Sequence, residues 1–210
     1  MKNKYWAFKL LGIIVIVFIL QNILRSTFTN LFILKSSDIL FRPWILITSI
    51  FLHGNLAHLL LNGLGLALFG SITENHIGSK RFLILFFTSG LFASITSSFF
   101  YNASLGASGA IFGIMGTLTY LKPGMTIWIN FMPLPMWMAS IFWTIENIIG
   151  IFVPSNIANL AHLSGLGFGL TFGYFIKERQ DKLIKREIKS NDNLMITKKE
   201  LEEWEEKFMR

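Results

Sequence analysis

A serine flanked by glycines, Gly106-Ala-Ser108-Gly109, and a histidine in Asn159-Leu-Ala-His162-Leu-Ser-Gly165-Leu-Gly-Phe-Gly169 both lie within apolar stretches of this chain. A hydroxyl and an imidazole are costly to place in hydrocarbon, so ionisable groups in such stretches are read first as functional. Serine is a weak nucleophile until a base removes its proton. Neutral imidazole does this near pH 7 and can hand the proton on to a leaving amine. Together the two residues point to serine hydrolysis inside a bilayer. Taken singly each has a blander explanation: helix packing for 106–109, a satisfied core histidine for His162.

Other residues fit the same chemistry. His58 and Asn62 are four apart, which on a helix is about 40° of arc and one turn of rise. Two donors on one face can point at one oxygen, although alone they would read as hydrogen-bond glue between helices. Ser108 begins its apolar stretch, and the first-turn N–H groups of a helix have no intrahelical acceptor. With the positive end of the helix dipole, they form an oxyanion site. Gly106 lets the turn pass closely beneath a substrate backbone. Phe112, one turn on, projects from nearly the same side as Ser108, and Gly109 and Gly113 form a small-residue face. His162, Gly165, Gly169 and Gly173 fall within a stripe about 80° wide, which predicts close packing against the Ser108 helix. His53 falls on roughly the opposite side of the wheel from His58 and is read as a residue at the helix mouth. Asp38 lies in a connecting segment, so no aspartate is placed to orient His162. The expectation is a dyad of Ser108 and His162, with His58, Asn62 and the Ser108 backbone as oxyanion donors. Glu146, beside Asn147, is read as paired with a polar neighbour or near the outer end of its segment.

These residues need helices to position them. The chain has 210 residues, 52% hydrophobic and 15% charged, against roughly 25% charged in soluble domains. Six apolar stretches, 5–24, 51–72, 82–101, 107–121, 131–153 and 157–176, predict an all-α membrane protein built as a six-transmembrane-helix bundle. The fourth is short and starts at the serine. The first is longer than a signal-peptide core and lacks a small-residue cleavage site. Residues 25–50 are too apolar for a free loop and are expected to lie partly in the interface, with Trp44 at headgroup depth and Pro43 breaking any helix. Residues 126–135 are apolar but contain two prolines, leaving the start of the fifth span ambiguous. The division expected is a protease-like membrane domain, 1–177, and a charged, solvated tail, 178–210.

The net charge of +7 is explained by topology rather than by nucleic acid. With both termini in the cytoplasm, Lys2, Lys4, Lys9, Lys80, Arg81, Lys122 and the tail cations lie inside. Only Arg25, Lys35 and Arg42 lie outside, as the positive-inside rule requires, with anionic lipid heads as further partners. The second, fourth and sixth spans then all run inward from the outer face, bringing His58, Ser108 and His162 to similar depth. Cysteine is absent, which excludes disulfides and thiol catalysis. No HExxH motif is present and His53 and His58 do not share a helical face, so neither a metal nor a cofactor is expected.

The segments Phe51-Leu-His53-Gly-Asn-Leu-Ala-His58-Leu-Leu-Leu-Asn62, Gly106-Ala-Ser108-Gly109-Ala-Ile-Phe112-Gly113 and Ala161-His162-Leu-Ser-Gly165-Leu-Gly-Phe-Gly169 resemble the rhomboid family of intramembrane serine proteases, over about residues 43–176. The resemblance implies Ser108 as nucleophile, His162 as base, His58 and Asn62 in the oxyanion hole, and a rhomboid-like bundle. It departs from the family at two places. Phe112 stands where some members carry Tyr, and Ile45 follows Trp44 where some carry Arg. Expected substrates are single-pass transmembrane proteins, cut near the outer boundary of the plasma membrane, with helix-weakening residues near the cut. The oligomeric state is left open. Two other classes compete with this reading: a non-catalytic rhomboid-like binder of membrane clients, which characteristically lacks the serine or the histidine, and a transporter, which calls for inverted repeats or more intramembrane charge.

Overall fold

The apolar, Ile- and Leu-rich N-terminal stretch forms α1, Trp6–Phe32, in a computed structural model that describes residues 5–129, 132–153, 157–192 and 203. Only one stripe of its long span faces protein. Ala7, Leu10, Ile14 and Gln21 are buried at helical spacing, while Ile13, Ile16, Ile19 and Ile23 are exposed. The helix breaks at Arg25, with φ 56° and ψ −145°, where the first apolar stretch ends. Positive φ on a residue with a Cβ is uncommon and strained.

A short strand follows, β1, Leu34–Lys35, then single helical turns at Ser36–Asp38, Ile45–Thr48 and Ser49–Phe51. Leu40 and Phe41 are 91% and 82% exposed, apolar surface of the kind that contacts lipid. Arg42 anchors this connection by an ion pair with Asp38 and by donating to the Asn30 carbonyl at 2.9 Å.

Leu56–Ile77 forms α2. Asn55 caps it by accepting from His58 N–H at 2.8 Å, an N-cap bond that satisfies one orphan donor of the first turn. Its middle, Leu66–Gly70, is wound as a π-helix, a form frequent near functional sites. Gly78 separates it from α3, Ser79–Phe100. Buried Glu74 ties three helices at this end. It accepts from the Ala7 N–H at 3.0 Å and from Ser79 Oγ at 2.6 Å, so a carboxylate meets the positive end of α1. β2, Ala103–Ser104, pairs antiparallel with β1. Then come α4, Ser108–Leu121, the paired strands β3, Thr126–Ile129, and β4, Met132–Pro135, followed by α5, Met136–Phe152, and α6, Asn159–Asp192.

The chain falls into two contact units, Met1–Tyr174 and Phe175–Arg210. In the second, Lys182 and Glu178 form an i,i+4 ion pair at 2.7 Å. The rest of the tail from 193, Glu203 excepted, lies outside the described residues, as do Lys2, Lys4 and 154–156.

Two expectations are refined here. α1, α2 and α3 are long and apolar enough to cross a membrane, while α4 and α5 are apolar but shorter. Among the described residues the structure is mostly helical with three such spans, so helix length and hydropathy alone do not reach six. Within 126–135, residues 126–129 and 132–135 pair as antiparallel strands and are not the start of the fifth span. Met136 N–H bonds to the Met125 carbonyl at 2.8 Å, so even-numbered residues of β4 face its partner. Pro133 and Pro135 turn their missing N–H outward, where an edge strand tolerates proline.

Candidate active site

Ser108 is the first residue of α4. The turn that delivers it is fixed from three sides. Gly106 has φ 122°, a conformation that favours glycine. A Cβ there would also lie 2.7 Å from Cε1 and 2.8 Å from Nε2 of His58. Gly106 N–H donates to the Ser49 carbonyl at 2.9 Å, and Ser36 N–H to the Asn102 carbonyl at 3.1 Å. Ser97 and Ser104 hydroxyls join at 2.8 Å. The apolar connection between α1 and α2 is thus stitched to the Ser108 turn.

His162 lies one turn inside α6, whose start is secured by Leu160 N–H donating to Tyr101 Oη at 3.1 Å. Its Nε2 is 2.7 Å from Ser108 Oγ, and its Nδ1 is 2.9 Å from Asn147 Oδ1. The Phe112 ring stacks on the imidazole, with centroids 4.5 Å apart and planes 6° from parallel. The departure from Tyr to Phe at 112 therefore keeps the stacking face.

Glycines set the depth of the α4–α6 contact. A Cβ on Gly165 would run into the Gly109 carbonyl, one on Gly169 into the Gly113 carbonyl, and one on Gly116 into the Leu166 carbonyl. Thr117 Oγ1 adds an interhelical bond to the Gly169 carbonyl at 2.8 Å. One detail differs from the sequence reading. The missing side chains of Gly109 and Gly113 make room for Ala93 and Ser89 of α3. The α6 glycines and Gly116 create the seam between α4 and α6, whereas Gly109 and Gly113 chiefly admit α3 on another side.

The α2 side is arranged more loosely. His58 Nδ1 receives a long 3.4 Å contact from Gly54 N–H, leaving Nε2 toward Gly106. Asn62 is buried, but its amide donates to the His58 carbonyl of its own helix at 3.0 Å. No hydrogen bond joins it to Ser108 among those described, and its second amide hydrogen remains to donate. His53 corrects the helical-wheel reading. It precedes the first turn of α2, so the helical phase does not apply, and its ring packs edge-on against His58 at 5.0 Å. It is 2% exposed, and neither ring nitrogen has a partner among the described residues. Its backbone N–H donates to Gln21 Oε1 at 2.9 Å.

Beside Ser108 is a crevice of about 30 Å³ whose lining includes Ser49, Ser97 and Ser104, room for roughly one water. A wider cleft of about 740 Å³ opens between α1 and the mouth of α2, past Gln21, Thr29 and His53. No group of three His, Asp or Glu side chains among the described residues is placed to hold a metal ion.

The structure therefore brings Ser108, His162, Phe112, Gly106 and His58 to one place and sets Asn62 one turn below His58. Glu146 is exposed. Its neighbour Asn147 is the residue the sequence reading passed over. The available signal was an amide within an otherwise apolar segment, where polar groups are expensive.

An apolar helical protein carrying a serine–imidazole pair at the ends of two packed helices belongs to the membrane-embedded class. The family model for the Rhomboid domain matches residues 40–179, and the chain belongs to the rhomboid family. Rhomboid protein 1, mitochondrial, of Saccharomyces cerevisiae is 30% identical over 201 residues, covering 90% of this chain and 58% of that protein. Rhomboid protease GluP of Bacillus subtilis is 39% identical over 129 residues, 59% of this chain and 24% of GluP. RHOMBOID-like protein 1 of Arabidopsis thaliana is 34% identical over 134 residues, 62% of this chain and 34% of that protein. The chain thus spans less than two thirds of the length of each of these relatives. Family and apolar helices together make it an integral membrane protein.

Proposed function

We propose that the chain is an intramembrane serine endopeptidase that cleaves transmembrane segments of single-pass proteins with a Ser108–His162 dyad. The observation that carries this reading is the 2.7 Å contact between His162 Nε2 and Ser108 Oγ at the start of α4. Membership of a family that includes a named protease supports it.

In this mechanism His162 Nε2 takes the hydroxyl proton as Ser108 Oγ attacks the scissile carbonyl. The carbonyl oxygen becomes an oxyanion, met by first-turn N–H groups of α4 and by the His58 and Asn62 side chains. One such donor is worth roughly 10²–10³ in rate. The tetrahedral intermediate collapses, the C–N bond breaks, and His162 returns the proton to the leaving amine. Water then attacks the acyl ester with His162 again as base, releasing the carboxylate and restoring Ser108. The serine-lined crevice is suited to deliver that water.

The bundle has six spans over residues 1–177 in this reading, with 178–210 as a cytoplasmic tail. Both termini are cytoplasmic in the plasma membrane, and the dyad lies near the outer face. Relatives named as mitochondrial make the choice of membrane a matter for direct localisation. Cysteines introduced near Asn102 and in the tail near Ser190 test orientation. The first is expected to react with an impermeant maleimide on intact cells, the second only after permeabilisation; the reverse pattern overturns it.

The activity test is incubation of purified protein in proteoliposomes with a panel of single-pass substrates, and mass spectrometry of the products. A discrete cut in or beside the membrane segment, absent with Ser108→Ala, is the expected result. Binding of the same substrates without cleavage by the wild type would instead indicate a non-catalytic client binder.

A further inference from the structure

Asn147 lies on α5 and is 4% exposed, in a helix whose other buried side chains are Met136, Ala139 and Ser140. A buried amide must find partners or cost free energy, and Asn147 has two. Its Nδ2 donates to the Trp143 carbonyl one turn back at 2.8 Å. Its Oδ1 faces His162 Nδ1 at 2.9 Å.

The first bond decides the second. A carbonyl can only accept, so the amide nitrogen must face Trp143 and the amide oxygen must face His162. An amide oxygen can only accept, so the proton of neutral His162 sits on Nδ1. The lone pair is then on Nε2, the nitrogen 2.7 Å from Ser108 Oγ. The other tautomer would set an N–H against the serine and leave no base. It would also oppose two lone pairs across the Asn147 contact.

We infer that Asn147 is a positioning residue, a third member after Ser108 and His162 that locks the base in its Nδ1–H tautomer and fixes the plane of its ring. This rests on the proposed protease reading and deepens it. Phe112 holds the face of the imidazole, but stacking leaves rotation within the plane and the choice of tautomer free. Asn147 removes both freedoms. An amide suits this setting better than a carboxylate because it orients the imidazole without placing an anion in an apolar bundle, where an ionised group is far more costly. Once His162 has taken the serine proton, the same Oδ1 accepts from the imidazolium Nδ1–H, so the contact persists through the catalytic cycle.

The test uses the full chain in proteoliposomes with a cleavable single-pass substrate. Asn147→Leu keeps the branched outline and removes the acceptor; Asn147→Ala removes both. Each is expected to lower kcat by about 10- to 100-fold, the scale of a misaligned reacting group, with KM within about twofold. Asn147→Asp restores an acceptor at the same atom and is expected to recover most of the lost kcat. Glu146→Gln, on the adjacent exposed position, is expected to change nothing. A merely structural role would lower thermal stability and activity together and would not favour Asp over Leu. Nitrogen-15 spectra of histidine-labelled protein supply a readout independent of turnover. With His162 assigned by a His162→Gln variant, the wild type is expected to show a protonated Nδ1 and bare Nε2, and Asn147→Leu a mixture. Unchanged kcat in Asn147→Leu, or an Nε2–H tautomer in the wild type, overturns the inference. If the wild type itself neither cleaves nor differs from Ser108→Ala, it is the protease reading that has failed.

Discussion

The two flanks of Ser108 are held to different degrees. On the α5–α6 flank, His162 is fixed at both ring nitrogens and across one face, by Ser108, Asn147 and Phe112. Behind it, the Gly165 and Gly169 backbone touches α4 directly. On the α2 flank, the His58 ring makes one long contact, Asn62 donates back to its own helix, and the His53 ring has no polar partner among the described residues. A base must be aligned before the reaction starts. Oxyanion donors act on a charge that exists only in the transition state, so they can rest on other acceptors until it forms. In the proposed mechanism, the difference makes one flank preorganised and leaves the other to be completed by substrate.

The largest effect that sharpens this contrast lies on the loose flank. His58→Ala and Asn62→Ala are each expected to cut kcat by roughly 10²–10³ while KM stays within about twofold, as steady-state kinetics will show. A large rise in KM with kcat unchanged would mean that these residues bind substrate and do not stabilise its transition state.

A slightly smaller loss is expected on the tight flank. Gly169→Ala forces a methyl against the Gly113 carbonyl and separates α4 from α6. A misplacement of ~1 Å costs about 10² in rate, and the melting temperature in detergent is expected to fall with it. Normal activity and stability in this variant would show that the seam can relax, and the contrast would disappear.

How much of this was legible in the sequence depends on whether a signal was local. Ser108 and His162 are 54 residues apart, yet each sits at the start of an apolar stretch running the same way, so topology alone placed them at one depth. The glycine stripe of α6 was readable because helical periodicity holds throughout it. His53 was set on the wrong side because helical phase was extended back through residues that are not helical. The strand pair 126–129 and 132–135 was hidden because its prolines read as helix breakers. Only the strand register reveals that both point away from the partner strand. Asn147 was passed over beside a charged neighbour, since the side of α5 that meets α6 is set by packing and not by composition.

Two weaker perturbations separate stacking from filling. Phe112→Ala is expected to lower kcat by about fivefold, in line with the ~1 kcal/mol that ring stacking contributes, whereas Phe112→Tyr keeps the face and is expected to stay near wild type. Equal losses in both variants would remove stacking as the explanation. The smallest effect on turnover is expected from His53→Ala. The ring fills space against His58 and has no polar partner among the described residues, so its loss is expected to lower thermal stability, as cavities do, with activity within about threefold of wild type. Turnover falling further than in His58→Ala would make His53 part of the chemistry.

The central claim is that His162 activates Ser108, and covalent labelling reads this without a substrate. Purified wild type, Ser108→Ala and His162→Ala are treated with a serine-reactive fluorophosphonate, and the adduct is mapped by mass spectrometry. The account predicts a single adduct on Ser108 in the wild type, none in Ser108→Ala, and labelling slowed by at least ~10² in His162→Ala, the scale of general-base catalysis. An adduct on another serine, or equal labelling with and without His162, would contradict it.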